Sequence, residues 1–150
     1  MGTKYKGTKK DKLTLDTFIK LVRCTESVSV SASKVLENAG LSISKFDVLE
    51  LLYHVGPMCQ RDIAKKIRKS TGNITFVIDA LEKQNYVKRC PSPTDRRYYT
   101  IELTTEGNAY IQSLFPLYLG ALNGVFDILS VDEKNMLCNV CRVLGKQERM

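Results

Sequence analysis

The residues of this sequence best suited to contact a polyanion lie in a short predicted turn. The segment PTDRRYYTIELTTEG, residues 93–107, places Asp95 beside two arginines, Arg96 and Arg97, at the start of an alternating, strand-like run. A guanidinium can contact phosphates or bases, and a nearby carboxylate can hold it in place through a charge-assisted hydrogen bond. The segment is therefore a candidate contact with a negatively charged partner. The alternative interpretation of this segment is a solvated turn.

The basic residues of the chain are concentrated in its central quarter. The formal net charge is +7, and residues 60–97 contain ten Lys and Arg residues against four Asp and Glu residues, so this segment alone contributes +6. Such a basic surface predicts a polyanionic partner, with double-stranded DNA the first candidate. Charge alone does not distinguish this interpretation from a basic face that serves only solubility.

The cysteines and the single histidine do not form a pattern typical of a disulfide framework, a metal site or a catalytic site. The five cysteines are an odd number and are scattered, which favours a reducing cytoplasm. Cys138 and Cys141 form one C-x-x-C pair, but zinc needs four ligands and the only histidine is His54, so packing in a core or an interface is favoured. No phosphate-binding glycine motif and no nucleophile with an evident base is present, so we expect no cofactor and no enzymatic activity.

Cys59 is the thiol with a predicted reactive environment. It falls at the start of a predicted short helix, near Arg61. The positive end of a helix dipole favours the thiolate form of a cysteine. We therefore consider Cys59 a candidate redox residue, and the alternative is a poor but tolerated helix cap.

These candidate residues need elements that position them, and the hydrophobic spacing predicts mainly helices. Residues 14–39 predict one long helix, including the strand-like stretch SVSVSAS, because the uninterrupted run is too long for a strand. Ser44 is the predicted cap of a second helix, and two short helices follow, over residues 60–68 and from Ser70 to Asn85. Residues 86–90 and 98–103 predict two strands of a hairpin. Helices return from Thr104, the last with a Ser130–Glu133 capping box.

Two short helices joined by a tight turn and followed by a hairpin make a winged helix-turn-helix. In that fold the second helix of the pair enters the DNA major groove, with its N-terminal residues toward the base edges. Here those residues are small and polar: Thr71, Gly72, Asn73 and Thr75. Asn can pair with adenine, and Thr can offer its hydroxyl or its methyl group to a base.

The segments STGNITFVIDALEKQNYVKR and PTDRRYYTIELTTEG resemble the MarR family of bacterial transcriptional regulators, over about residues 41–107. The wing pattern is the specific part of the resemblance, with Asp95, Arg97, Leu103, Thr104 and Gly107. The resemblance implies a homodimer whose first and last helices intertwine and whose winged helices bind a pseudo-palindromic operator. It also implies that Arg97 enters the minor groove while Asp95 holds it by a charge-assisted hydrogen bond. Arg96 would contact phosphate, and a small-molecule or thiol-reactive effector would release the DNA.

With this resemblance the predicted fold class is mainly α with a small β-hairpin wing, a winged helix-turn-helix plus flanking dimerisation helices. We divide the chain into a basic tail with the first dimerisation helix at 1–40, the DNA-binding region at 41–103 and the C-terminal dimerisation helices at 104–150. The predicted DNA contacts are Lys65, Lys66, Lys69, Ser70, Thr71, Asn73, Thr75, Phe76, Asp95, Arg96 and Arg97. Phe76 departs from the family's usual small polar or basic residue, which suggests contact with a thymine methyl group or local packing.

The resulting prediction is a cytoplasmic, sequence-specific transcriptional repressor that acts as a homodimer. Its expected partners are double-stranded DNA, a second copy of itself and a small-molecule effector, with Tyr53 and His54 as candidate residues of the effector pocket. No apolar run approaches the length of a membrane span, so no membrane partner is expected. The alternative is a non-specific architectural or adaptor protein that uses the same winged helix, and footprinting distinguishes the two.

Overall fold

The computed structural model describes residues 4–95 and 97–146 and confirms a mainly helical chain with a small wing. The elements are, in chain order, α1 (Lys9–Asn38), α2 (Ile43–Val55), β1 (Met58–Cys59), α3 (Gln60–Lys66), α4 (Thr71–Lys83), β2 (Val87–Pro91), β3 (Tyr99–Leu103), α5 (Thr105–Phe126) and α6 (Val131–Lys146). The three strands form an antiparallel sheet in the order β1-β3-β2. The chain divides into two compact units, one of residues 33–119 and one that combines the described residues 4–32 and 120–146.

Two helix starts differ from the sequence-based prediction, and local capping explains both. The predicted cap Ser44 is wrong, because the Ser42 side chain accepts a hydrogen bond from the Lys45 amide and the Ser42 backbone is extended. Helix α1 begins at Lys9, five residues before the predicted start at Thr14. There the Thr8 hydroxyl accepts from the Asp11 amide, and the Asp11 carboxylate accepts from the Thr8 amide, which gives a reciprocal cap.

The core of the unit of residues 33–119 lies between the helix-turn-helix and the sheet. Ile63 of α3, Ile74 and Ile78 of α4 and Ile101 of β3 are all fully buried. Burying each such side chain stabilises the fold by about 1.5–3 kcal/mol before the cost of ordering it. The core therefore fixes α3 and α4 against the hairpin, which sets the position of every candidate DNA contact in this unit.

A compact junction joins the end of α4, the base of the wing and the start of α5. Asn85 adopts the left-handed conformation expected of a helix terminator, with φ 59°. The Thr104 amide donates to the Tyr86 carbonyl at 3.0 Å, and the Thr104 hydroxyl donates to the Asn85 carbonyl at 2.6 Å. The Gly107 amide donates to the Thr104 hydroxyl at 2.9 Å, and a Cβ atom at Gly107 would lie 1.9 Å from the Tyr86 oxygen. The glycine is therefore required by this close approach.

The unit of residues 4–32 and 120–146 leaves much of its apolar surface exposed. Helix α6 buries none of its residues, although Met136, Val140 and Val143 are large apolar side chains. Residues of α1 and α6 line a cavity of about 400 Å³: Leu13, Thr14, Thr17, Phe18, Leu21 and Leu144. An exposed apolar surface on a helix of this kind is typical of an interaction surface.

The cysteines of this unit are exposed. Cys24, Cys138 and Cys141 all face outward in the protomer, so packing of the C-x-x-C pair in the protomer's own core is wrong. Packing at an interface stays a prediction for these residues. Within the described residues, no helix taken singly has the length and hydropathy to cross a membrane; α5 and α6 reach those values only together, and a sharp bend separates them.

Candidate nucleic-acid interface

The turn between α3 and α4 places the start of α4 at the surface. Arg68 adopts a left-handed backbone conformation, with φ 53°, and the Lys69 amide then donates to the Ala64 carbonyl at 3.0 Å. Ser70 follows in an extended conformation, and its hydroxyl accepts from the Asn73 amide at 3.2 Å. Ser70 is thus the N-cap of α4, which is a structural role additional to its predicted contact with DNA.

One side of α4 is buried and the opposite side faces solvent. Ile74, Ile78 and Leu81 pack into the core with no exposed surface. At helical spacing, Gly72 and Phe76 lie on the side of α4 that faces away from these residues. The predicted base contacts Thr71, Asn73, Thr75 and Phe76 are all exposed. Helix α4 therefore presents the geometry expected of a helix that enters a major groove.

The hydroxyl of Thr75 is already engaged within the protein. It donates to the Thr71 carbonyl at 3.0 Å and accepts from Gln60 Nε2 at 2.6 Å. A hydroxyl has one proton, so Thr75 can accept from a base or offer its methyl group, but it cannot also donate. Sequence reasoning missed Gln60, because no short-range pattern connects residues that lie on different helices.

Asp95 and Arg97 form the pair that the wing pattern predicts. Arg97 Nη2 donates to Asp95 Oδ2 at 2.9 Å, Arg97 Nε donates to Oδ1 at 3.1 Å, and the Arg97 amide donates to Oδ1 at 3.0 Å. The side-chain hydrogen bond from Arg97, with its backbone hydrogen bond, lowers the pKa of Asp95, so the carboxylate is ionised at neutral pH. The Arg97 side chain is 84% exposed and available for an external contact. The predicted phosphate contact Arg96 lies outside the described residues.

Arg89 joins the wing to α4. Its guanidinium donates to Asp79 and to Glu82, and its backbone amide donates to Glu82 Oε1 at 3.3 Å. Partial burial lowers the pKa of Arg89, but the hydrogen bonds and charges of the two carboxylates outweigh that effect and raise the pKa overall. The sequence analysis counted Arg89 with the basic excess. The structure gives it an internal role between β2 and α4.

Ion pairs within the protein use most of the acidic side chains of residues 60–97, which leaves an excess of positive charge on the surface. Asp79, Glu82 and Asp95 are three of the four acids in this segment, and all three pair with Arg89 or Arg97. The exposed cations Arg61, Lys65, Lys66 and Lys69 belong to α3 and the turn that follows it. The basic surplus therefore lies on the helix-turn-helix that would face a phosphate backbone.

A cavity of about 490 Å³ lies between the wing and the starts of α3 and α4. It brings together four of the predicted site residues, Cys59, Thr71, Asp95 and Arg97. It also adds residues that sequence reasoning did not select: Gln60, Arg61, Arg89, Ser92, Thr94, Tyr98, Tyr99 and Ile101. Cys59 is the half-buried N-cap residue of α3 and makes no side-chain capping hydrogen bond.

Tyr53 and His54 lie at the end of α2 and do not line this cavity. The His54 ring meets Phe115 edge-on, with ring centroids 4.8 Å apart, and meets Tyr53 edge-on at 5.0 Å. His54 Nε2 lies 3.6 Å from Glu50 Oε1. The side chains form a small aromatic cluster with one carboxylate. Among the described residues, no group of three or more His, Cys, Asp or Glu side chains is arranged to hold a metal ion.

Comparison with known proteins agrees with this geometry. The MarR family model matches residues 41–99. The chain is 34% identical over 131 residues to the HTH-type transcriptional regulator MhqR of Bacillus subtilis (strain 168), which covers 87% of this chain and 90% of MhqR. It is 28% identical over 124 residues to the HTH-type transcriptional repressor YetL of the same organism, covering 81% of this chain and 74% of YetL.

Solved structures show the same fold. AbsC, a MarR family transcriptional regulator from Streptomyces coelicolor, superposes with a TM-score of 0.81 at 20% identity, covering 97% of this chain and 98% of AbsC. BpsR of Bordetella bronchiseptica, whose DNA binding is regulated by 6-hydroxynicotinic acid, superposes with a TM-score of 0.75 at 21% identity, covering 83% of this chain and 89% of BpsR.

Proposed function

This chain belongs to the MarR family of DNA-binding transcriptional regulators, and from that premise we propose that it is a sequence-specific repressor that binds a pseudo-palindromic operator as a homodimer. The observation that carries the proposal is the pairing of an outward-facing α4 with an exposed Arg97 held by Asp95. These two features suit the major groove and an adjacent minor groove. The similarity to YetL, a transcriptional repressor, supports repression rather than activation.

We propose that the contacts divide into three kinds. Thr71, Asn73 and Thr75 contact base edges from α4. Arg97 enters the minor groove with Asp95 as its positioning residue. Phosphate contacts hold the register but are insensitive to sequence. We propose that they come from five of the predicted residues: Lys65, Lys66, Lys69, Ser70 and Arg96.

Selection of bound sequences from random double-stranded DNA, followed by footprinting, tests sequence specificity. A regulator of this kind is expected to select a two-fold symmetric site with half-sites about one DNA turn apart. Uniform protection without a selected sequence would instead identify a non-specific architectural protein. Affinity is expected to fall steeply with salt, since Lys and Arg contacts release counterions from the phosphates.

Two substitutions distinguish groove contacts from phosphate contacts. Arg97→Ala is expected to weaken operator binding about tenfold or more while leaving non-specific DNA binding nearly unchanged. Lys65→Ala is expected to weaken operator and non-specific DNA by similar factors and to reduce the salt dependence by about one counterion. Fluorescence anisotropy on both DNAs over a range of salt concentrations measures the two effects. If Arg97→Ala weakens the affinity for operator and non-specific DNA equally, Arg97 does not make a sequence-specific groove contact.

We propose that the flanking segments 1–40 and 104–150 form the dimer, and that 41–103 binds DNA. The exposed apolar side chains of α1 and α6 support this division, because α6 buries nothing within the protomer. Sedimentation or light scattering tests it. Val140→Glu is expected to dissociate the dimer, whereas Asn139→Glu on the neighbouring polar side of α6 is not, and a wild-type monomer would overturn the proposal.

We propose that an effector releases the DNA. The regulation of BpsR by 6-hydroxynicotinic acid supports a small-molecule effector, and the aromatic cluster at Tyr53 and His54 is suited to the edge of a planar ligand. Cys59 is the proposed site for a thiol-reactive effector, since it lines the cavity between the wing and the helix-turn-helix. Titration of the DNA complex with aromatic acids and, separately, with hydrogen peroxide distinguishes these two routes.

A further inference from the structure

Phe76 is a large aromatic side chain that is not packed against the core of the described residues. It is 79% exposed on α4, whereas Ile74, two residues earlier, is fully buried. Among the described residues, none of the ring–ring contacts includes Phe76. Local packing, one of the two interpretations open from the sequence, is therefore excluded for the protomer. An exposed aromatic ring on the outward side of a candidate DNA-binding helix is typical of a contact residue.

The surface beside Phe76 is open on the side toward the start of α4. Helical side chains lean toward the N-terminus, so the ring of Phe76 is directed toward the turn that contains Gly72. A Cβ atom placed on Gly72 would meet nothing within 4 Å, and Gly72 does not have the positive φ that would require a glycine. The fold itself gives no reason for a glycine here. Its effect is an open space at the surface of the first turn of α4, which we call the Gly72 notch.

The hydrogen-bonding groups next to Phe76 are largely committed. The Thr75 hydroxyl donates to the Thr71 carbonyl and accepts from Gln60, so it has no proton for a base. The Asp79 carboxylate, one turn after Thr75, accepts from Arg89. Phe76 therefore offers an apolar contact beside two polar side chains that are already bonded within the protein. In the major groove, the one apolar group on a base edge is the 5-methyl group of thymine.

We propose that Phe76 is a specificity-determining residue that contacts the 5-methyl group of a thymine in each operator half-site, with the Gly72 notch admitting the base pair. The inference rests on the proposed function, because it assumes that α4 enters the major groove. The exposed cations Lys65, Lys66 and Lys69 precede α4 and complement the phosphates on which this approach depends. The ligand chemistry is thus a 5-methylpyrimidine presented by double-stranded DNA.

The test uses deoxyuridine, which lacks the 5-methyl group but keeps every hydrogen-bonding group of thymine. Each thymine of the selected operator is replaced in turn, and affinity is measured by fluorescence anisotropy with the full-length protein. We expect one thymine in each half-site to be sensitive, with about a fourfold loss per half-site. That factor corresponds to removing one buried methyl-sized group from an apolar contact.

Combining the DNA change with protein variants assigns the effect to Phe76. In Phe76→Ala, the ratio of thymine to deoxyuridine affinity at the sensitive position is expected to fall to about one, whereas Phe76→Leu retains part of it. Lys83→Ala, on the same outward side of α4, is the matched control and is expected to leave the ratio unchanged. Each position is exposed, so these variants are expected to fold.

The outcomes separate the inference from the function on which it rests. If an operator is selected but no thymine is sensitive, or if Phe76→Ala keeps the wild-type ratio, the inference is overturned and the proposed function stands. If Phe76→Ala changes the oligomeric state but not the ratio, Phe76 is a protein contact and the inference is again overturned. If no sequence is selected, the proposed function fails and the inference fails with it.

Discussion

Replacing Gly72 with alanine is expected to stabilise the fold and weaken DNA binding at the same time. The added Cβ atom meets nothing within 4 Å in the free protein. Alanine in a helix is more favourable than glycine by about 0.5–1 kcal/mol, with the lower value appropriate to a first turn. For a chain of this size that gain raises the melting temperature by about 1–4 °C.

The same methyl group would occupy the notch through which the base pair approaches. Overpacking a close contact typically costs about 1–3 kcal/mol, so operator affinity is expected to fall about tenfold. Thermal denaturation gives the first quantity, and anisotropy on operator and non-specific DNA gives the second. Operator affinity equal to that of the wild type, in a protein that is more stable, would refute the close approach at Gly72.

Gly107→Ala is the matched substitution, and it is expected to change the stability of the fold in the opposite direction to Gly72→Ala. Here the Cβ atom would lie 1.9 Å from the Tyr86 carbonyl oxygen, which is backbone and cannot rotate away. The expected cost is about 3 kcal/mol of unfolding free energy, the upper end of the usual range for overpacking. A stability change of the same sign and size in both glycine variants would show that helix propensity alone decides the result.

Three further substitutions, the first with a matched control, test the wing and the cavity beside it. Arg89→Gln is expected to lower the free energy of unfolding by about 1 kcal/mol, since two partly exposed ion pairs are lost, whereas Lys88→Gln on the other side of β2 should cost less than about 0.5 kcal/mol in urea titrations. Asp95→Asn is expected to weaken operator binding about threefold without changing the melting temperature. Without the carboxylate of Asp95, the Arg97 side chain loses more conformational freedom when it binds DNA. Fluorescence anisotropy measures the affinity, and calorimetry measures the melting temperature. Cys59→Ser is expected to abolish peroxide-induced release of DNA, and an unchanged release curve would exclude this thiol.

Local patterns explain why much of this structure was predictable. The long helix through SVSVSAS follows from length, and the Ser70 cap and the Asn85 terminator follow from residue types that favour those backbone conformations. The Asp95–Arg97 pair spans two residues of one turn, so its geometry is nearly fixed by the chain itself. The confirmed fold class depends on such short-range signals.

The features that were missed depend on contacts between elements. Gln60 reaches Thr75 across the helix-turn-helix, and Arg89 reaches Asp79 from a neighbouring strand. No sequence periodicity encodes either contact. Strand β1 has two residues, too few for an alternating pattern, and it is stabilised by pairing with β3. The exposed C-x-x-C pair shows a second limit of sequence patterns. The apolar face of α6 predicts that it packs against something, but not whether the partner surface belongs to the same chain or to another.

The junction at the base of the wing has a consequence for how the wing opens. The amides of Thr104 and Gly107 are both bonded inside it, to the Tyr86 carbonyl and the Thr104 hydroxyl. We expect their hydrogen exchange to require cooperative opening of the junction and so to be slow. At the tip, the Tyr98 amide is held by the carbonyl of Asp95, a neighbour in the same turn, and its exchange should be fast. We therefore expect the base of the wing to stay closed while the Tyr98 amide opens locally, so that Arg97 can adjust to minor grooves of different width while α4 stays in register.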